Sequence, residues 1–133
     1  MIPVTLCLSL HSIISNMIKI QKIDFPLDCK VVRNDFYDYD PVSSFIVADS
    51  IKYLSEDLLQ CSFPEEDMII DLGWYGDVVS NKGEFKILLI QYGNWEIPFN
   101  EILSKSVIET KEILEKIFQY YSTVKPQEDL DNI

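Results

Sequence analysis

Two stretches rich in apolar and β-branched residues, Met68 to Tyr75 and Glu84 to Tyr92, stand out along the chain. Each is long enough for a strand, and Ser80-Asn81-Lys82-Gly83 between them supplies residues that tolerate positive φ, so the pair predicts an antiparallel hairpin. Two apolar strands need a cover, and an amphipathic pattern lies on either side. Upstream, Asp40-Pro41 is a helix start, with Asp as cap and Pro at the first helical position. Val47, Ile51, Leu54 and Leu58 follow at helical spacing with Asp49, Lys52, Ser55 and Glu56 turned outward, which predicts a helix over about 41–60 that stops before Pro64. Downstream, Ser106-Val-Ile-Glu109 is a capping-box sequence, and Val107, Leu114, Ile117, Phe118 and Tyr121 form the apolar stripe of a second helix over about 106–122, with Glu112 and Lys116 paired on its far side.

Further strands are weaker. Ile18 to Phe25 alternates imperfectly and closes at Pro26, Cys29 to Val32 predicts a short strand, and Trp95-Glu-Ile-Pro98-Phe99 after the Gly93-Asn94 turn predicts an edge strand. Residues 34–40, where acids alternate with aromatics, are a loop or a sheet edge. The fold class that follows is α+β: an antiparallel sheet of about four or five strands covered by two main helices.

The 133 residues suit a single domain spanning 1–133. Residues 1–16 carry no charge and precede a second methionine, Met17. They are either an upstream-start extension or an element that packs on the core, and apolar periodicity does not separate the two. The polar tail over 124–133 is expected to fray.

Charge narrows the function. Eleven Lys and Arg against twenty-two Asp and Glu give a formal charge of −11, which repels nucleic acid and anionic membranes and attracts a basic protein partner. Cys7, Cys29 and Cys61 form no Cys-x-x-Cys pair, and no stretch approaches the roughly 20 apolar residues of a membrane span. A reducing, cytoplasmic setting fits these features.

Candidate chemistry is sparse. His11 is the only histidine, and nothing beside it suggests an activated nucleophile. Asp35-x-x-Asp38-x-Asp40 lacks the glycine and glutamate that a calcium loop of the EF-hand kind needs, and the four glycines sit at separate turns rather than in a phosphate-cradling loop. These features predict no catalytic residue, no metal site and no cofactor. Carboxylates are plentiful, Asp71 and Asp77 included, so a carboxylate-dependent hydrolase stays open as an alternative, as does a small ligand-binding regulatory module. The acid-rich segments flank the two ends of the predicted first helix. Glu65, Glu66 and Asp67 would follow its C-terminus, where negative charge is unfavourable, and such a local cost suggests a use. Tyr37 and Tyr39 alternate with Asp38 and Asp40, with Asp35 shortly before them, as in an interface of aromatic anchors with a charged rim; rings folded back onto the core are the alternative. These eight residues are the candidate partner-binding set.

Asp71-Leu-Gly73-Trp74-Tyr75, the later Gly83-Glu-Phe85-Lys-Ile-Leu-Leu-Ile90, and Trp95-Glu-Ile-Pro98-Phe99 before a capped terminal helix resemble the immunity proteins of bacterial polymorphic toxins. The order of a Gly-Trp-Tyr strand, an apolar strand, a Trp-x-x-Pro strand and a helix is similar to contact-dependent growth-inhibition immunity proteins. The resemblance covers roughly 45–122, and this chain has Gly76 where a proline often follows Gly-Trp-Tyr in the pattern. It implies a small cytoplasmic protein, not an enzyme, that binds a cognate toxin C-terminal domain, commonly a nuclease, as one monomer in the complex. The Gly-Trp-Tyr and Trp-x-x-Pro residues are then scaffold.

Overall fold

A computed structural model describes residues 18–41, 53–77, 80 and 82–123. Five strands form one antiparallel sheet: β1 (Lys30–Asn34), β2 (Leu59–Phe63), β3 (Met68–Asp77), β4 (Lys82–Gln91) and β5 (Asn100–Ser104), followed by the helix α1 (Val107–Tyr121). The strands lie in sequence order, β1-β2-β3-β4-β5, so each pairs with its neighbour in the chain. The α+β class holds, but α1 is the sole helix among the described residues longer than the 3₁₀ turn Pro64–Glu66.

The central hairpin is the longest pairing, ten residues on each side, in register from Met68 opposite Gln91 to Asp77 opposite Lys82. Lys82 and Gly83, predicted as turn residues, belong to β4; positions 78, 79 and 81 lie outside the described residues. Alternation sorts the side chains between two faces. Met68, Ile70, Leu72 and Trp74 of β3 join Phe85, Ile87 and Leu89 of β4 and Leu59, Cys61 and Phe63 of β2 in the buried core. The helix covers this face with Val107, Leu114, Ile117 and Phe118. Each fully buried Leu, Ile or Phe contributes about 1.5–3 kcal/mol, so this stripe accounts for the helix's attachment far better than its propensity does. Ser106 caps the helix as predicted, its Oγ accepting the Glu109 N–H at 3.1 Å. At the other end Asp28 Oδ1 accepts the Ser122 hydroxyl and Oδ2 the Thr123 amide, both at 2.8 Å. The Thr123 bond, above all, holds the Asp28 carboxyl below the usual carboxylate range.

Four expectations need correction. The helix predicted over 41–60 lies in part outside the described residues, over 42–52. Tyr53 is helical, but the helix does not reach 60: Leu54 to Leu58 run as bends and coil, and Leu59 opens β2. Leu59, Cys61 and Phe63 are buried while Gln60 and Ser62 are half-buried, a period of two that pairing with β3 enforces over the chance helical spacing of Leu54 and Leu58. Residues 18–25 make only an isolated bridge, Ile20 with Tyr37, held by the Gln21 N–H on the Phe36 carbonyl at 2.6 Å and the Asp38 N–H on the Lys19 carbonyl at 2.8 Å. Trp95 to Phe99 are not a strand. The Asn94 side chain accepts the Ile97 N–H and bends the chain there, so the edge strand forms one step later, at Asn100–Ser104. The strand predicted over 29–32 appears as β1, shifted to 30–34 and irregular between Val31 and Arg33. His11, residues 1–16 and the tail over 124–133 lie outside the described residues.

Candidate functional site

The face of the sheet turned away from α1 carries a different chemistry. Register aligns Arg33, Gln60, Asp71, Leu88 and Glu101 in one row across all five strands, and Gly73, Lys86 and Leu103 in the next. Asp71, Lys86 and Leu88 are half-buried, as expected for the middle of a sheet face with no helix among the described residues laid over it. Further along, Ile90 is fully buried outside the main core cluster and pairs with Ile69, so this face has an apolar end and a charged middle.

Gly73 shapes the charged middle. A β-carbon there would overlap the backbone carbonyl of Glu56, so only glycine lets the segment before β2 lie across β3 at this point. The segment is pinned on both sides of the crossing: the Trp74 N–H donates to the Ser55 carbonyl at 2.7 Å, and the Leu58 N–H to the Leu72 carbonyl at 3.0 Å. Between these bonds the Ser55 hydroxyl accepts the Asp57 N–H at 3.3 Å, a tight local turn. The exposed acids Glu56 and Asp57 are thereby brought beside a half-buried third, Asp71.

The electrostatics follow. Burial, and then the charge of Asp57, push the Asp71 carboxyl up to about 6, with Arg33 offsetting part of the rise. Tyr75 is pushed up as well, first by burial and then by the charges of Asp71, Glu56, Asp57 and Glu101. Lys86 is the cation set among these acids: its Nζ stands 3.4 Å from Glu101 and 4.5 Å from the centre of the Tyr75 ring. The face can therefore present a hydrogen-bonding, acid-dominated surface with an aromatic ring held at its centre. No group of three or more His, Cys, Asp or Glu suited to a metal ion occurs among the described residues.

The eight residues singled out from the sequence do not form one patch. Asp35 is exposed and donates its N–H to Leu58 at 2.6 Å, just before β2, and alternation from Arg33 sets it toward the acid-rich face. Asp38 is exposed and accepts the Lys19 N–H at 2.9 Å; Asp40 is half-buried. Glu65, Glu66 and Asp67 are exposed in the 3₁₀ turn after β2, at the far end of a strand of five residues, roughly 13 Å away. They do not follow a helix of the predicted kind, so the dipole argument for them falls, and Asp67 instead takes a left-handed turn with φ 51°. Tyr39 is buried in the core, 2 % exposed, and Tyr37 is half-buried with its ring 4.9 Å from that of Tyr53. Both rings fold onto the core, which was the alternative left open. Glu56, Asp57, Lys86 and Glu101 escaped the sequence reading because their meeting depends on register and on Gly73. Asp71 alone was visible, as an acid inside an apolar strand.

A concavity of about 500 Å³ opens between the end of α1 and β4, lined by Glu66, Met68, Leu89, Phe99, Tyr120 and Tyr121 among others. Its lining is mixed: Met68, Leu89 and the rings of Phe99, Tyr120 and Tyr121 stand beside the polar Gln91, Asn100, Ser122 and Thr123, with Glu66 as the carboxylate.

The chain matches no protein-family model, no curated protein and no solved structure. No helix among the described residues is long and apolar enough to cross a membrane.

Proposed function

We propose that the protein is a binding protein of the immunity type, which occludes a basic toxin domain, commonly a nuclease, in a one-to-one complex in the cytoplasm. The observation that carries this reading is the open sheet face on which Glu56, Asp57, Asp71 and Glu101 surround Tyr75 and Lys86. Carboxylates arranged on a rigid sheet complement a surface built to hold phosphates, and the chain's charge of −11 speeds the encounter. The test is to look in the neighbouring reading frame for a large secreted protein with a toxin-like C-terminal domain and to co-express that domain with this chain. The reading expects a stable complex and protection of cells from that domain. A neighbouring frame without such a domain, or a domain that neither binds nor is silenced, defeats it.

One observation favours a second reading, a carboxylate-dependent hydrolase. Asp71, pushed up to about 6 beside Asp57, is suited to exchange a proton near neutral pH. Turnover of esters, phosphoesters or glycosides that vanishes in Asp71→Asn protein would establish it in place of the first.

A further inference from the structure

At the opposite edge of the core lies a chemistry that the acid-rich face does not use. Cys61 points from β2 into the core and is fully buried; Cys29 is half-buried in the turn just before β1, where its N–H donates to the Pro26 carbonyl. Val31 pairs with Cys61, and Cys29, two residues earlier, shares the same face, so the cysteines are diagonal neighbours on adjacent strands. The two thiols lie near enough on this diagonal to shift one another, Cys29 downward and Cys61 upward.

We propose that Cys29 and Cys61 are a disulfide-forming dithiol, oxidised by a small peroxide of the hydrogen peroxide class, that locks the turn before β1 onto β2.

The two sulfurs have distinct roles. Cys29 is the attacking group: its half-exposure lets a small oxidant reach it, and the neighbouring Cys61 thiol favours its thiolate against burial and the charge of Asp28. Cys61 stays protonated, because it neighbours Cys29 and is buried, and so serves as the resolving thiol. In the first step the Cys29 thiolate attacks one peroxide oxygen; an S–O bond forms, the O–O bond breaks, and hydroxide leaves to be protonated to water. In the second, the Cys61 sulfur attacks the sulfenic sulfur; the S–S bond forms, the S–O bond breaks, and the departing hydroxide takes the Cys61 proton as a second water. Two thiols and one peroxide thus give one disulfide and two waters. The product joins the edge strand to the sheet interior across the long connection between β1 and β2, which constrains the unfolded chain.

The experiment treats the full chain with hydrogen peroxide, then alkylates it and maps peptides without reductant. A cross-linked Cys29–Cys61 peptide is expected, with Cys7 still open to alkylation in the unfolded chain. The mass should fall by two hydrogens, the melting temperature should rise by about 5 °C or more, and dithiothreitol should reverse both changes. Cys29→Ser, at the half-exposed position, should abolish the cross-link with the fold retained. Cys61→Ser should let a dimedone probe trap the sulfenic acid on Cys29. Should the Cys61 variant fail to fold, the cross-link in Cys7→Ser protein decides the matter. Sulfinic or sulfonic acid on Cys29 with Cys61 still alkylatable, or a bridge made through Cys7, would overturn the proposal.

Discussion

Gly73 meets the backbone carbonyl of Glu56 at a distance that a β-carbon on residue 73 would not allow. Gly73→Ala forces either β3 or the segment 55–57 to move, and should cost about 2–3 kcal/mol in denaturant unfolding, as overpacking against backbone does. The same substitution should carry Asp57 away from Asp71 and bring the Asp71 titration back toward the ordinary carboxylate range. A loss of stability below about 0.5 kcal/mol would mean that the segment is not seated across Gly73.

Asp71 makes stability depend on pH in an uncommon direction. Its folded pKa, about 6, lies above the ordinary value of 3.8, so the native state binds the proton more tightly than the unfolded chain does. Its contribution is therefore greatest below about pH 4, declines as the pH rises through about 6, and is lost above. With the side chain half-exposed and screened, the change is about 1 kcal/mol. Asp71→Asn protein should lack this decline and be the more stable of the two above neutrality. The check is a series of urea melts between about pH 4 and 8, with the Asp71 carboxyl followed by NMR; parallel curves for the two proteins would contradict it.

Charge reversal separates the two acidic regions. Glu56→Lys with Asp57→Lys, both exposed, should change stability by only about 0.5 kcal/mol while slowing association with the proposed basic partner and flattening its salt dependence. Glu65→Lys with Glu66→Lys, at the far end of β2, should alter association much less. Stopped-flow rates at several salt concentrations decide between them, and an equal effect of both pairs would place the contact across the sheet end instead.

Tyr92 is 73 % exposed and holds a left-handed backbone, φ 56°, its N–H donating to Asp67 at 3.0 Å. Few side chains other than glycine and asparagine tolerate that region without cost. Tyr92→Asn should stabilise the protein by about 0.5–1 kcal/mol in a thermal or urea melt. A loss instead would show that the ring contributes contacts exceeding its backbone strain.

The legibility of the chain follows the range of the interactions involved. The hairpin and α1 could be read because local signals agreed: Ile70, Leu72 and Trp74 alternate with Asp71 and Gly73, and Ser106 marks the helix start within its own first turn. β2 could not, since Leu54 and Leu58 imitate a helix stripe and only β3, beyond Pro64, shows that Leu59, Cys61 and Phe63 are a strand. β5 was hidden by the adjacent Ile102 and Leu103, which blur the alternation of a short edge. The acid-rich face was the least visible, because Glu56, Asp71 and Glu101 come from three separate parts of the chain.

A sheet whose strands follow one another in chain order can open from its margins without a break at its centre. The ten-residue pairing of β3 with β4 has a neighbour on each side, whereas β1 and β5 each hold on through five residues and a single partner. Local fraying should therefore begin at the two margins, with amide hydrogen exchange slowest in β3 and β4 and fastest in β1 and β5. Arg33 and Glu101 end the charged row on those two marginal strands, while Asp71 sits on the last part to let go. A partner meeting this face would find its middle rigid and its two ends able to adjust.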